Sequence, residues 1–317
     1  LGARLAEAGF SVHLVARGPH LAAIRRNGLR VISPNGNVTV RAPATDDPST
    51  IGPVDFVLFA VKLYNFEEAT AVIGPLIDRN TVILPVQNGI DCADRLGRAL
   101  GTGCVLGGVT YIFSRIERPG VIVHSGTAAR IALGELDGRR SRRARTLWRI
   151  LNAAGIEATL SDNIERDIWN KFVFLSSASA ISGLSGASVH AMMADRAARA
   201  LFKAAMEEIV RLGRARGITF DDDLVERHLA FAATLPEESR PSLLADLDAG
   251  RETEVDGLFG AVAKLGRQAR LVTPIHRTAH AMINLRSQLD RLKRDGARRP
   301  LNPSDRAGQQ PDVKPGG

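Results

Sequence analysis

The stretch LGARLAEAGFSVHLVARG, residues 1–18, changes period in its middle, and that change decides the class of fold. Leu1, Leu5 and Ala8 share one helical face, with Arg4 and Glu7 elsewhere. Gly9 stops the helix, and Ser11 to Ala16 reads as a short buried strand ending at Arg17. The same grammar recurs downstream. HLAAIRRNGL is a short helix closed by Gly28, and LRVISPNGNVTV carries two β-rich runs around Pro-Asn-Gly, a hairpin signal. DFVLFAVK, residues 55–62, is almost unbroken apolar, which suits a strand covered on both faces of a parallel sheet. The helix NFEEATAVIGPLI follows, with Ala69, Val72 and Leu76 assigned to its buried face, and then the buried strand TVILPVQNG. DRLGRAL is helical, CVLGGVTYIF, GVIVHSG and RIALGEL are three β-rich runs, and SRRARTLWRILNAAG is an amphipathic helix closed by Gly155.

This alternation predicts an α/β domain over residues 1–161: an open, mainly parallel sheet with helices on both faces. Ligands of such sheets bind past the carboxyl ends of the strands, so Arg17, Lys62 and Asn88 are expected at one mouth. After about residue 162 the β signal disappears. Long helical segments such as NIERDIWNKFVFLSSASAISGLSG and RAARALFKAAMEEIVRLGRARG predict an all-α domain over 162–294. Residues 295–317 are rich in Pro, Gly, Gln, Asp and Arg, and their composition predicts disorder.

Composition narrows the function classes. The chain has 317 residues, 44% hydrophobic and 24% charged, as in globular proteins. No apolar run approaches the roughly 18–20 residues that span a bilayer. The two cysteines, Cys92 and Cys104, have no ligand-like spacing, which fits a reducing cytoplasm and argues against a disulfide framework or a structural metal. The net charge of +8 invites a nucleic-acid reading. However, the segment from Arg286 to the end holds eight Lys/Arg against four Asp/Glu, half of the excess, and no stacking aromatics are interleaved with the basic clusters. The expectation is therefore no nucleic acid, no membrane and no metal.

Several residues carry candidate chemistry. Arg17 ends the strand SVHLVAR; in a doubly wound nucleotide domain the residue ending the second strand meets the adenosine ribose, and an Arg there can pair with a 2′-phosphate and favours NADP over NAD. The alternative is a surface Arg. Lys62 and Asn88 follow buried strands, and Asn88-Gly89 equally suits a tight turn. Lys171 lies among Trp169, Phe172, Val173 and Leu175: it either snorkels to solvent or sits in a site with a lowered pKa, fit for general-acid work. Glu254, between Glu252 and Asp256, is either functional or part of a solvated acidic helix start. Ser242 follows Pro241 and suits a helix cap, with Asp246 one turn further on the same face. No G-x-S-x-G, P-loop or H-E-x-x-H occurs.

The order of motifs resembles the ketopantoate reductase (2-dehydropantoate 2-reductase) family from Leu1 to about Arg294. The segments that carry the likeness are LGARLAEAGFSVHLVARG, FAVKLYNFEEA, PVQNGID, GGVTYIFSRIERPGVIVHSG, ERDIWNKFVFLSSASAISGL and RPSLLADLDAGRETEVDGLFG. The resemblance implies a Rossmann-type N-terminal domain, an all-α C-terminal domain and an active site between them. It implies NADPH-dependent reduction of a 2-oxo acid to a 2-hydroxy acid on the way to pantothenate and coenzyme A, with a small-molecule partner and room for a homodimer. Lys171 would be the proton donor, and Glu254 would hold hydrogen bonds near that lysine, the substrate and the cofactor ribose. Ser242 and Ser179 would face the substrate, Arg17 and Lys62 the cofactor NADP(H), and Asn88 both.

The sequence departs from the family in two places. One and two turns beyond Lys171 the family often has asparagines, where this chain has Leu175 and Ser179, so the preferred 2-oxo acid is open and a paralogous reductase is the competing reading. The family also opens with a strand and a G-x-G-x-x-G turn. LGARLAEAG matches the helix after that turn, so about 10–15 residues are expected to precede it, counted as a strand plus a glycine turn. A further competing reading is an inactive chain lacking that pyrophosphate cradle, for which very weak or no NADPH binding is expected.

Overall fold

The computed structural model describes residues 1–298. In the first half, α1 (Gly2–Glu7) leads to β1 (Leu14–Val15) and α2 (Gly18–Asn27), then to β2 (Leu29–Ile32), β3 (Val38–Val40) and β4 (Ala44–Thr45). Next come β5 (Phe56–Phe59), α3 (Phe66–Val72), β6 (Val82–Pro85) and α4 (Cys92–Leu100). The half closes with β7 (Gly107–Arg118), β8 (Val121–Gly134), α5 (Arg142–Ala153) and β9 (Glu157–Leu160).

Strand pairing is less uniformly parallel than the sequence suggests. β1 pairs in parallel with β4, and β5 with β6, from Phe56↔Val82 to Phe59↔Pro85. The remaining strands form a mixed five-stranded sheet in the order β3-β2-β8-β7, with β9 also on β8. GVIVHSG and RIALGEL, read as separate runs, form one strand, because β7 pairs along β8 from Gly107↔Gly134 to Arg118↔Val121 and carries it across two irregularities. β5 was expected to be covered on both faces, yet of its four residues only Phe59 is buried, and among the described residues its one ladder partner is β6. In α3 the buried residues are Phe66 and Thr70 rather than Val72, which is 47% exposed: Phe66 goes fully into the core and sets the phase of the helix.

The second half is helical: α6 (Ile164–Ser185), α7 (Val189–Ala194), α8 (Arg196–Ala215), α9 (Leu224–Ala233), α10 (Ser242–Asp248), α11 (Ala261–Gln268) and α12 (Pro274–Arg298). α7 has no counterpart in the sequence reading. The last helix runs beyond the expected boundary at 294, and the rest of the stretch expected to be disordered lies outside the described residues. Asn163 caps α6 by accepting from Arg166 N at 3.0 Å, and Gly186 ends it in a left-handed conformation. Apolar and small residues lie all round this 22-residue helix because it is enclosed on several sides, by α8, α10 and α12 and by β7 of the sheet-bearing half.

The largest core cluster is continuous across both halves. Phe59, Phe66, Ile83 and Leu96 from the first pack with Trp169, Phe172, Met206 and Phe259 from the second. Apolar burial at about 25 cal/mol per Å² therefore acts across the junction as well as within each half. Close backbone approach helps: a Cβ on Gly257 would lie 2.5 Å from Leu63 Cδ1, and one on Gly108 would lie 2.4 Å from the Pro85 carbonyl oxygen. No helix among the described residues is long and apolar enough to cross a membrane.

Candidate active site

β5 and β6 are parallel neighbours, so their carboxyl ends deliver Lys62 and Asn88 to the same edge of the sheet. Lys62 precedes the short 3₁₀ turn Leu63–Asn65, and Asn88 lies three residues beyond β6. From the helical half, α6 brings Lys171, whose Nζ donates to Asn88 Oδ1 at 2.7 Å. The Tyr111 ring of β7 lies with its centroid 5.8 Å from the same nitrogen. Lys171 is half-buried as a residue. Desolvation of its ammonium pulls the pKa from the ordinary 10.5 down to about 8, and the negative charge of Glu254 resists that fall. Snorkelling to open solvent is therefore not its state.

Glu254 is not a solvated acid at a helix start. It sits in the non-helical run before Val255 and the π-helical turn Asp256–Gly260, and is 8% exposed. One carboxylate oxygen accepts from Leu63 N at 2.9 Å, and the other lies 3.4 Å from Lys62 Nζ. Gly257 allows this approach by lying flat against Leu63. Lys62 Nζ also pairs with Asp246 Oδ2 at 3.2 Å, and Asp246 Oδ1 accepts from Arg251 Nε at 2.8 Å. Burial pulls the Lys62 ammonium down, but Glu254 and Asp246 together more than offset it and hold its pKa above the usual lysine value. Glu254 thus acts on Lys171 through charge, while the direct hydrogen bond to the ammonium comes from Asn88.

The structure joins the candidates into two clusters, Lys171–Asn88 and Lys62–Asp246–Glu254, which Glu254's field links. Arg17 is placed apart from both. It is the N-cap residue of α2, exposed, with its guanidinium paired to Glu68 in the first turn of α3. Ser242 is the first residue of α10 and exposed; it is not the cap, since Pro241 holds that position and no side chain caps the helix. Ser179 is buried on α6, two turns beyond Lys171. Among the described residues no group of three or more His, Cys, Asp or Glu is placed to hold a metal ion. Burial pushes the Cys92 thiol up to about 12, which keeps it inert.

A cavity of about 10 Å³, room for one water, lies beside Lys171. Gln87, Asn88, Val109, Phe172 and Leu175 are among its walls. A wider cleft of about 480 Å³ is lined by Glu254 together with Tyr64, Arg251, Asp256 and Asn284. Sequence reasoning missed Gln87 and Tyr111. A Gln in a polar turn reads as solvated and a Tyr in a β-run reads as core; only the adjacency of Gln87 to Asn88 was a signal.

Comparison with known proteins identifies the family. Residues 1–138 match the family profile "Ketopantoate reductase PanE/ApbA", and residues 163–287 match "Ketopantoate reductase PanE/ApbA C terminal". The 2-dehydropantoate 2-reductase of Mesorhizobium japonicum is 32% identical over 295 residues, covering 86% of this chain and 90% of that protein. The crystal structure of a PanE/ApbA family ketopantoate reductase from Ralstonia eutropha is 29% identical and superposes with a TM-score of 0.83, covering 92% of this chain and 95% of the other. A D-mandelate dehydrogenase in ternary complex with NADH and anilino(oxo)acetate shares the fold, with a TM-score of 0.83 at 21% identity over 92% of this chain and 95% of its own. With both halves matched in order and a relative of this identity along most of its length, the chain belongs to the ketopantoate reductase family.

Proposed function

We propose that this protein reduces 2-dehydropantoate (ketopantoate) to (R)-pantoate with NADPH, Lys171 being the proton donor. The observation that carries this reading is the Lys171 ammonium, held by Asn88 Oδ1 at 2.7 Å beside a water-sized cavity with its pKa brought down to about 8. A carbonyl oxygen is about the size of the water that the cavity would take. As negative charge grows on that oxygen, the Nζ–H groups not engaged by Asn88 stabilise it, and one then transfers its proton. Lys171 is left neutral and is reprotonated from solvent.

NADPH, when bound, supplies the hydride. The residues present fit a phosphate-bearing cofactor at the strand ends. Arg17 follows β1, and its partner Glu68 is an exposed carboxylate in a surface ion pair that a phosphate can displace. Lys62 stays cationic and is anchored to Glu254 and Asp246.

One observation favours a second reading, a reductase of a different 2-oxo acid. Val109, Ile168, Phe172 and Leu175 make up the apolar part of the Lys171 cavity's walls, and Leu175 offers nothing to a substrate hydroxyl. Steady-state kinetics separate the two. With NADPH, ketopantoate should give a higher kcat/KM than 3,3-dimethyl-2-oxobutanoate, which lacks its hydroxyl; equal values favour the second reading. NADPH should be preferred over NADH, and Arg17→Ala should erase the preference. An unchanged cofactor ratio in that variant contradicts the role given to Arg17.

A further inference from the structure

Gln87 presents an unusual combination. It lies between the end of β6 and Asn88, and both polar atoms of its side chain, Nε2 and Oε1, are buried without a hydrogen-bond partner among the described residues. A buried amide left unpaired at both ends costs stability and calls for an explanation. Its position supplies one, because Gln87 lines the same water-sized cavity as Lys171 and Asn88. Other buried orphans of the region, the hydroxyls of Ser176, Ser177 and Ser182, belong to α6 and are not among the cavity's walls.

We infer that Gln87 is a second donor to the reacting carbonyl oxygen: its Nε2–H and the Lys171 ammonium converge on the one place where that oxygen fits. This inference rests on the 2-oxo acid reductase reading above and adds a residue to it. The division of labour follows from the chemistry. A neutral amide donor stabilises the growing alkoxide but keeps its proton, so Gln87 lowers the barrier while Lys171 alone completes the transfer. Among the described residues nothing competes for the Nε2–H groups, so they need not be released from another bond as the transition state is reached. Asn88 Oδ1 is an acceptor, and its part is to hold the Lys171 ammonium rather than to donate. Phe172 and Leu175 are apolar walls of the same cavity.

The test compares the wild-type protein with Gln87→Met, Gln87→Glu and Gln87→His, using NADPH and ketopantoate. Loss of one such donor in other enzymes lowers kcat about a hundredfold or more. Gln87→Met and Gln87→Glu, the latter nearly isosteric but an acceptor at neutral pH, should both lose kcat on that scale with KM changed less than about threefold. Gln87→His restores a donor and should recover at least tenfold over Gln87→Met. The fall of kcat/KM above pH 8 that Lys171 dictates should persist in Gln87→Met, which a general disturbance of the site would displace. Wild-type kcat in either Gln87→Met or Gln87→Glu overturns the inference and leaves the reductase reading standing. A wild-type protein that reduces no 2-oxo acid overturns both.

Discussion

Lys171 should destabilise the protein it serves, and the effect should depend on pH in a direction that can be worked out. The ammonium is desolvated, and its pKa falls from 10.5 to about 8. That difference corresponds to about 3 kcal/mol at most, less whatever the remaining solvent contact screens. Below pH 8 the lysine is charged in both folded and unfolded states, so the fold bears the whole penalty. Between about 8 and 10.5 the folded protein has released the proton while the unfolded chain retains it, so stability rises with pH through that window. Above 10.5 both states are neutral and the penalty is gone.

The perturbation is Lys171→Met, which keeps the length of the side chain and removes the charge. At pH 7 it relieves about 3 kcal/mol but strands Asn88 Oδ1, which loses its donor at a cost of about 1–2 kcal/mol. The variant should therefore be more stable than wild type by about 1–2 kcal/mol at pH 7. Near pH 10 the neutral lysine still donates to Asn88, so the order should reverse by about 1 kcal/mol. Urea denaturation of both proteins at several pH values reads the difference, and every other titrating group far from the site cancels in it. A difference that stays constant from pH 7 to 10 would show that the Lys171 pKa is ordinary and would remove the basis for its role. Reduction of the 2-oxo acid should be lost in the variant at every pH, the trade of stability for function expected at such a site.

Further outcomes follow from the same geometry. Because Lys171 acts in its protonated form, kcat/KM should fall about tenfold per pH unit above 8, and a flat profile to pH 9.5 excludes it as the donor. Glu254→Gln removes the charge that resists the pKa fall while leaving an acceptor for Leu63 N, so the descending limb should move to lower pH; a limb that moves upward contradicts the field assigned to Glu254. Gly257→Val places atoms against Leu63 where a Cβ alone would be 2.7 Å from Leu63 Cβ, and should cost about 1–3 kcal/mol by denaturation, with an unchanged midpoint as the contrary result. Glu208→Ala strips a buried carboxylate from Ile275 N, His276 N and His276 Nδ1, and should cost about 3 kcal/mol or more; a loss below 1 kcal/mol would mean the start of α12 is held by packing alone.

Much of this architecture is legible in the sequence because it is written locally. The helix–glycine–strand change in residues 1–18 and the strand–turn pattern TVILPVQNG depend on neighbours a few positions away. What was misread depends on distant partners. β8 looks like two runs until β7 pairs along it, and the phase of α3 is set by Phe66 entering a core built from both halves. The site divides the same way. Lys171 stands out as a cation within an apolar helix, but the partner that holds it is 83 positions away. Glu254 sits between two acids and reads as solvated; its burial comes from Gly257 lying against Leu63, a contact without a local signature. Gln87 and Tyr111 carry no local mark of function, since amides in turns and aromatics in strands are ordinary.

The carboxamide and carboxylate contacts around Lys171 and Lys62 cross the junction in opposite directions. Asn88, from the sheet-bearing half, holds the ammonium of the helical half, and Glu254, from the helical half, is fixed by Leu63 N and Lys62 of the sheet-bearing half. Each group that tunes Lys171 is thus set by the half it does not belong to or reaches across to it. A pKa of about 8 keeps most of the lysine protonated at neutral pH, yet makes it a stronger acid than an ordinary lysine by about 300-fold. Desolvation alone would push the value lower and leave less of the proton to give, while a freely hydrated ammonium would give it too reluctantly. The balance requires both the apolar enclosure by Phe172 and Leu175 and the field of Glu254, and the sheet-bearing half holds the Glu254 carboxylate through Leu63 N and Lys62. On the role proposed for Lys171, the continuous core across the junction serves the acid–base chemistry: it keeps Leu63 N and Lys62 of the sheet-bearing half against the carboxylate whose charge acts on the Lys171 proton.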